Sequence, residues 1–203
     1  GCRQMTLDMF LEHLYMVFMA VIFAISIGLP LGVLSYLFPP AKKVILWVVD
    51  VLQTIPSLAL LGIIMVFIGA GKITVISGLV LYSLLPIVRN TNLGLTEVDP
   101  AIKEAARGMG MSKFYQLLRV ELPLAFPVIF TGIRIATVNS IGSAVFAAFV
   151  GGGGLGSIIY RGIRVQNMKL ILSGTLSLML MAVVFDFTMG QIEKRLRRRS
   201  SAA

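Results

Sequence analysis

The chain alternates long apolar runs with short charged interruptions, and the interruptions mark out the elements. No charged residue falls between Leu14 and Ala41, Lys42-Lys43 follow, and Pro39-Pro40 end a first spanning helix over residues 14–38. Gly28, Pro30 and Gly32 inside it predict a kink, which neighbouring helices must support because lipid offers no water to freed backbone groups. A second span over residues 45–70 begins with an interfacial lead-in holding Asp50 and breaks at Pro56. Gly69-Ala70-Gly71-Lys72 reads as a tight loop. A short third span, 73–89, carries Pro86, and a fourth, 124–150, carries Pro127 and Arg134. A glycine-rich loop, Gly151 to Asn167, leads to a fifth span over 168–190, with Asp186 near its end. The spans cluster around the roughly 20 residues that cross a hydrocarbon layer as helix. The only long polar stretch is the loop 91–122.

Composition turns this pattern into a class. Of 203 residues, 57% are apolar and 13% charged, whereas a soluble domain carries about 25% charged residues. The chain is too apolar for an ordinary soluble enzyme or a disordered tail. It reads as one all-α integral membrane domain over residues 1–203, with about five transmembrane helices.

Eighteen Lys and Arg against nine Asp and Glu give a net charge of +9. In a soluble chain that excess would suggest nucleic acid; here positively charged cytoplasmic loops explain it, and no nucleic-acid partner is expected. With five spans, twelve basic residues fall on one side: Lys42, Lys43, Arg89, Lys103, Arg107, Lys113, Arg119, Lys194, Arg195, Arg197, Arg198 and Arg199. Five fall on the other: Arg3, Lys72, Arg161, Arg164 and Lys169. The amino terminus is therefore expected outside and the carboxyl terminus in the cytoplasm, with the final basic run meeting anionic lipid. The first apolar run is too long for a cleaved leader.

Enzyme chemistry finds no support. The one cysteine, Cys2, allows neither an internal disulfide nor a zinc site built on thiolates. The one histidine, His13, reads as structural or interfacial. No nucleophile elbow is present, and the acids are too scattered to gather a metal. Gly151-Gly152-Gly153-Gly154-Leu155-Gly156 has the spacing of a dinucleotide fingerprint but follows a membrane helix instead of a strand. Gly71-Lys72 resembles the end of a phosphate loop, yet Ile73 stands where a hydroxyl is required.

The polar loop reads as two short helices meeting at a glycine elbow. Asp99 caps the first, with Pro100 at its first position. Gly108-Met109-Gly110 breaks it, Ser112 caps the second, and that helix is expected to end before Pro123. Ala105 and Ala106 allow close approach of another surface, and Glu104 offers a charge to an arginine.

Glu104-Ala105-Ala106, then Gly110, nine residues, and Val120 two before Leu122-Pro123 resemble the EAA motif of permease subunits of binding-protein-dependent ABC importers. Val120 stands where Ile is usual. Gln53 to Ala59, Leu81 to Thr91 and Phe149 to Gly156 resemble the osmoprotectant branch, which takes up glycine betaine, carnitine and choline; the likeness covers roughly residues 10–190. The resemblance implies the type I ABC importer (MetI-like) permease fold. It implies a subunit that is not itself an enzyme and holds no cofactor, with ATP and Mg bound by a partner ATPase. Its partners would be two ATPase subunits, a second permease (identical or paralogous), an extracellular substrate-binding protein and membrane lipid. Residues Glu104, Ala105, Ala106, Gly110, Leu122 and Pro123 would couple the permease to the ATPase by alternating access.

A quaternary ammonium substrate attracts aromatic faces, and polar side chains within a membrane tend to face a bundle or a water-filled cavity. Gln53, Thr54, Ser57, Tyr82, Asn90, Asn139, Ser140 and Ser143 are the pathway candidates; helix–helix hydrogen bonding is their bland alternative. Phe146 and Phe149 are assigned to packing or lipid. Asp50, Arg134 and Asp186, the charges embedded in apolar runs, are expected to snorkel or pair, with a gate ion pair as the second reading. Other functions are a permease of the same class for another small amine or amino-acid-like solute, an ion-gradient-driven secondary transporter and a membrane scaffold. A secondary transporter would show inverted repeats, and none is evident.

Overall fold

The computed structural model describes residues 2–200, with side-chain surroundings for residues 7–198. The side chains of Cys2, Arg3 and Arg199 lie outside that range. Among the described residues the chain is helical, without strands: α1 Cys2–Leu37, α2 Pro39–Thr54, α3 Ser57–Ile68, α4 Lys72–Thr96, α5 Pro100–Gly108, α6 Lys113–Gln116, α7 Leu122–Ser143, α8 Gly156–Arg164 and α9 Met168–Ser200. A π-helical turn, Leu117–Glu121, joins α6 to α7, and a 3-10 turn, Ala144–Phe149, follows α7. Among the described residues, four stretches are long and apolar enough to cross a membrane; the pair α2–α3, bent by 99°, is either a broken fifth span or a re-entrant loop.

The core forms where α1, α4 and α7 meet. Met16, Ala20, Ala24, Leu79, Ile87, Ala136 and Ile141 are fully or nearly fully buried there. Small residues set the approach: a Cβ on Gly132 of α7 would lie 2.5 Å from the Pro86 carbonyl of α4. One on Gly32 of α1 would lie 2.4 Å from Thr91 of α4. Membrane helices gain nothing from hiding apolar surface from lipid, so close packing at small residues takes over. α9 shows the converse. Leu176, Met179, Leu180, Val183 and Phe187 all remain exposed, an apolar face for lipid or another subunit.

Three local expectations change. α4 continues through residues 91–96 because Asn92 donates to Ser35 Oγ at 3.0 Å and Leu95 is fully buried. The elbow proper thus begins at Glu97. The second elbow helix does not stop before Pro123; it runs through the π-turn into α7. A π-turn replaces the usual bonding ladder just where proline supplies no N–H. The stretch 151–167, expected as a loop, holds helix α8 between Gly156 and Arg164. His13 is structural, the first of its two expected roles. It is wholly buried and donates from Nε2 to the Ile141 carbonyl at 2.9 Å. That carbonyl lies where α7 gives way to the 3-10 turn, and the imidazole satisfies it within the protein interior.

Candidate functional site

The bend between α2 and α3 organises a cavity of about 520 Å³. Pro56 ends α2 and leaves the Ile55 carbonyl outside any helical ladder. In α4, Pro86 carries no N–H, so the Tyr82 carbonyl one turn earlier loses its normal donor. The two defects satisfy each other. The Tyr82 hydroxyl donates to the Ile55 carbonyl, and the Gln53 amide donates to the Tyr82 carbonyl at 2.5 Å. This reciprocal pair fixes the bent helix to α4 and holds the cavity open between α3, α4 and α7.

The expected pathway residues gather here with one exception. Gln53, Thr54, Ser57, Tyr82, Asn139, Ser140 and Ser143 all line the cavity. Ser140 Oγ and Ser83 Oγ lie 2.9 Å apart and fix the deep wall. Asn90 does not take part: its amide turns back to the Pro86 carbonyl at 2.8 Å and packs against Gly132. Asn90 lies two turns beyond Tyr82 along α4, where α7 approaches too closely to leave space. Phe146 packs against the core, one of its two expected roles, and also lines the cavity beside Tyr82, because the tighter rotation of the 3-10 turn presents it inward. Phe149 packs edge-on against Tyr160, ring centroids 4.7 Å apart. Among the described residues, no acid, arginine, lysine or histidine lines the cavity. Its chemistry is hydrogen bonding and aromatic surface.

The embedded charges lie elsewhere. Arg134 pairs with Asp186 at 2.8 Å and with Glu193 at 3.1 Å, joining α7 to α9. Asp50 pairs with Arg89 instead, at 2.6 Å. The glycine loop folds over the far end of the bundle. Gly71 N–H donates to the Val150 carbonyl at 2.8 Å, and Gly154 N–H donates to Glu12 at 3.3 Å. Its glycines answer to backbone shape: Gly151, Gly153 and Gly154 have φ of 76°, 76° and 78°.

The elbow forms as its caps dictate. Asp99 accepts from Ala101 N–H at 2.8 Å, and Ser112 from Tyr115 N–H at 3.3 Å. Gly110 has φ 80°, a left-handed conformation that favours glycine and turns the chain between the two helices. Glu104, Ala105, Gly110 and Pro123 are exposed, Leu122 is half-buried, and Ala106 points inward, 2% exposed. Ala106 is therefore covered by this chain itself and does not present the free surface expected of it. Around the elbow, Met109, Phe114 and Tyr115 form an exposed apolar rim, 70%, 71% and 51% accessible.

Comparison with known proteins accounts for this arrangement. Residues 20–198 match the family described as "Binding-protein-dependent transport system inner membrane component". The chain is 44% identical over 191 residues to the glycine betaine/carnitine/choline transport system permease protein OpuCD of Bacillus subtilis (strain 168), covering 94% of this chain and 83% of that protein. It is 40% identical over 187 residues to the osmoprotectant import permease protein OsmW of Salmonella typhimurium, covering 90% and 87%. A chain from inward-facing crystal structures of the MetNI methionine ABC transporter superposes with a TM-score of 0.87 at 25% identity, covering 96% of this chain and 97% of that one. With the elbow, the bent second span and the charge-free cavity in one apolar bundle, the chain belongs to the inner-membrane permease components of binding-protein-dependent ABC transport systems, as a multi-pass subunit of the bacterial plasma membrane.

Proposed function

We propose that this permease passes a small quaternary-ammonium osmoprotectant (glycine betaine, carnitine, choline or a close relative) from an extracellular binding protein into the cytoplasm. The observation that carries the reading is the cavity at the α2–α3 bend: neutral polar groups with the Tyr82 and Phe146 rings, and no fixed charge. A zwitterion or a bulky, weakly hydrated cation gains from aromatic faces and hydrogen bonds there. A fixed carboxylate would hold it too tightly for release. The names of the relatives point to the same solutes.

The amino terminus faces outside and the elbow faces the cytoplasm, with spans over 14–38, 45–70, 73–89, 124–150 and 168–190 in one domain. Two ATPase subunits bind ATP and Mg and receive the elbows of two permeases. Glu104, Ala105 and Gly110 meet the ATPase, and Ala106, Leu122 and Pro123 shape the elbow from within. ATP binding draws the elbows together and opens the cavity outward; hydrolysis resets it.

Likeness to the methionine transporter supports a second reading, an amino-acid-like solute in the same cavity. The test is uptake in proteoliposomes holding permease, ATPase and binding protein. ATP-dependent accumulation of labelled glycine betaine, carnitine or choline, but not methionine, is expected. Methionine uptake without the quaternary amines sinks the osmoprotectant reading, and uptake without any ATPase sinks the importer reading.

A further inference from the structure

Two acidic side chains are buried among the described residues, Glu121 and Glu193. Glu193 joins neighbouring helices, bonding Thr131 and Arg134 of α7 and Arg197 of its own α9. Glu121 is placed differently, because its partners come from three separate segments. Gln116 Nε2 of α6 donates to Oε1 at 2.8 Å, and the Tyr36 hydroxyl, at the end of α1, donates to Oε2 at 2.5 Å. Lys103 of α5 donates to the Tyr36 oxygen at 3.0 Å and to the Leu95 carbonyl at 2.9 Å. Its ammonium lies 3.9 Å from Glu121 Oε2 and 5.1 Å from the centre of the Tyr36 ring. Both carboxylate oxygens are engaged, and the phenol donates and accepts at once.

The π-turn is what makes this cluster possible. Residues five apart do not share a face of an α-helix, where neighbours are three or four apart. A π-turn closes its bonds from i to i+5 and brings Gln116 and Glu121 to the same side. Lys113 and Arg119 of this segment stay exposed while Glu121 turns inward.

From this geometry we propose that Tyr36, Lys103 and Glu121 form a rigid joint that makes α1 the strut carrying elbow movement to the opposite rim of the cavity. The proposal rests on the importer reading above. Neither elbow helix swings freely against α1, because separating them leaves a buried charge without its partner. Tyr36 and His13 are 23 positions apart on α1, about 35 Å of helix, or the thickness of a bilayer core. At that far end, His13 holds the Ile141 carbonyl, next to the cavity residues Ser140 and Gly142. The adjacent Glu12 accepts from Lys72 at 2.8 Å, beside the α3–α4 turn, and from Gly154 of the glycine loop. Between the two ends, Gly28 packs on Ile87 and Gly32 on Thr91, so α1 and α4 move together. Tyr36, Lys103 and Glu121 are positioning residues. Glu104 and Gly110 meet the partner; these three carry the displacement inward.

The test uses the full complex of permease, ATPase and binding protein in proteoliposomes. The permease carries Cys2→Ser and Ala70→Cys, which puts a single thiol on the exposed α3–α4 turn. Two readouts are followed: solute transported per ATP hydrolysed, and the ATP-dependent change in labelling rate at position 70. Tyr36→Phe keeps the ring and loses the hydroxyl; Glu121→Gln keeps the shape and loses the charge. Each is expected to retain ATPase association and hydrolysis while solute per ATP falls by about tenfold, the scale of one charge-assisted hydrogen bond. The labelling change is expected to vanish. The double variant should be no worse than the single ones, as for residues acting as one unit. Tyr36→Phe is the milder change and keeps the test open if Glu121→Gln does not assemble. A parent-like transport ratio and labelling change in Tyr36→Phe overturns the joint, as does a proportional loss of hydrolysis and transport. Absence of ATP-driven uptake in the parent overturns the importer reading instead, and is seen before any variant is made.

Discussion

The joint beneath the elbow and the wall of the cavity are both polar clusters inside an apolar bundle, yet they are built from different chemistry. The joint centres on a buried carboxylate with a lysine beside it. The cavity holds hydroxyls, amides and aromatic rings, and its bent helix is held by two neutral hydrogen bonds. A neutral hydrogen bond contributes about 1 kcal/mol net and exchanges readily with water or solute. A buried charge that loses its partner costs about 3–5 kcal/mol. Under the proposed function, the stiff chemistry sits where ATPase movement would enter and the exchangeable chemistry where solute would pass. The Arg134 pairs follow the same division, tying α7 to α9 outside the cavity.

The largest effect should come from removing the acid of the joint. Glu121→Leu strands Lys103 near a half-buried phenol and should destabilise the permease by about 3–5 kcal/mol, read as a lower unfolding midpoint in detergent. Ser140→Ala, deep in the cavity wall, should move that midpoint far less. An equal shift for both would erase the distinction between the two clusters.

Next in size is the reciprocal pair at the bend. Gln53→Leu or Tyr82→Phe leaves one backbone carbonyl unsatisfied, at about 1–3 kcal/mol each. Uptake should fall more than stability, because the bend shapes the cavity. A double-mutant cycle showing no coupling between the two would mean that the bend is held by packing alone.

Gly110→Ala should act through the backbone only, since a Cβ there meets no atom within 4 Å but must adopt φ 80°. The left-handed penalty is about 1–2 kcal/mol. The expected outcome is weaker ATPase association, measured by copurification, with an unfolding midpoint only a few degrees lower. The smallest effect belongs to Asp50→Asn. Its pair with Arg89 is half-exposed, the two side chains 44% and 55% accessible, and should contribute under about 1 kcal/mol and vanish in high salt. A salt-independent loss of uptake would move this pair into the working machinery.

Much of the architecture was legible from local pattern. The apolar runs, the break at Pro56, the caps at Asp99 and Ser112 and the glycine turn at Gly110 each depend on neighbours within one or two turns. Seven of the eight pathway candidates line one cavity for a similar reason, since uncharged polar groups in a membrane span have few other places to face. Asn90 failed because its own helix offered it a carbonyl four residues back. That Phe146 also lines the cavity depends on a 3-10 turn that periodicity does not reveal.

The sequence by itself determined that this is a helical membrane protein, where the chain breaks at Pro56 and caps at Asp99 and Ser112, and which loop carries the EAA-like spacing. Hydrophobic periodicity, proline and capping act over short distances along the chain. Tertiary structure alone decided what those helices do for one another. It set Tyr36 beside Glu121 across 85 positions, His13 beside Ile141 across 128, and Gln53 beside the carbonyl that Pro86 had freed. These contacts follow from how α1, α4 and α7 dock through small residues, and docking is a property of surfaces that meet in space, which no local spacing encodes.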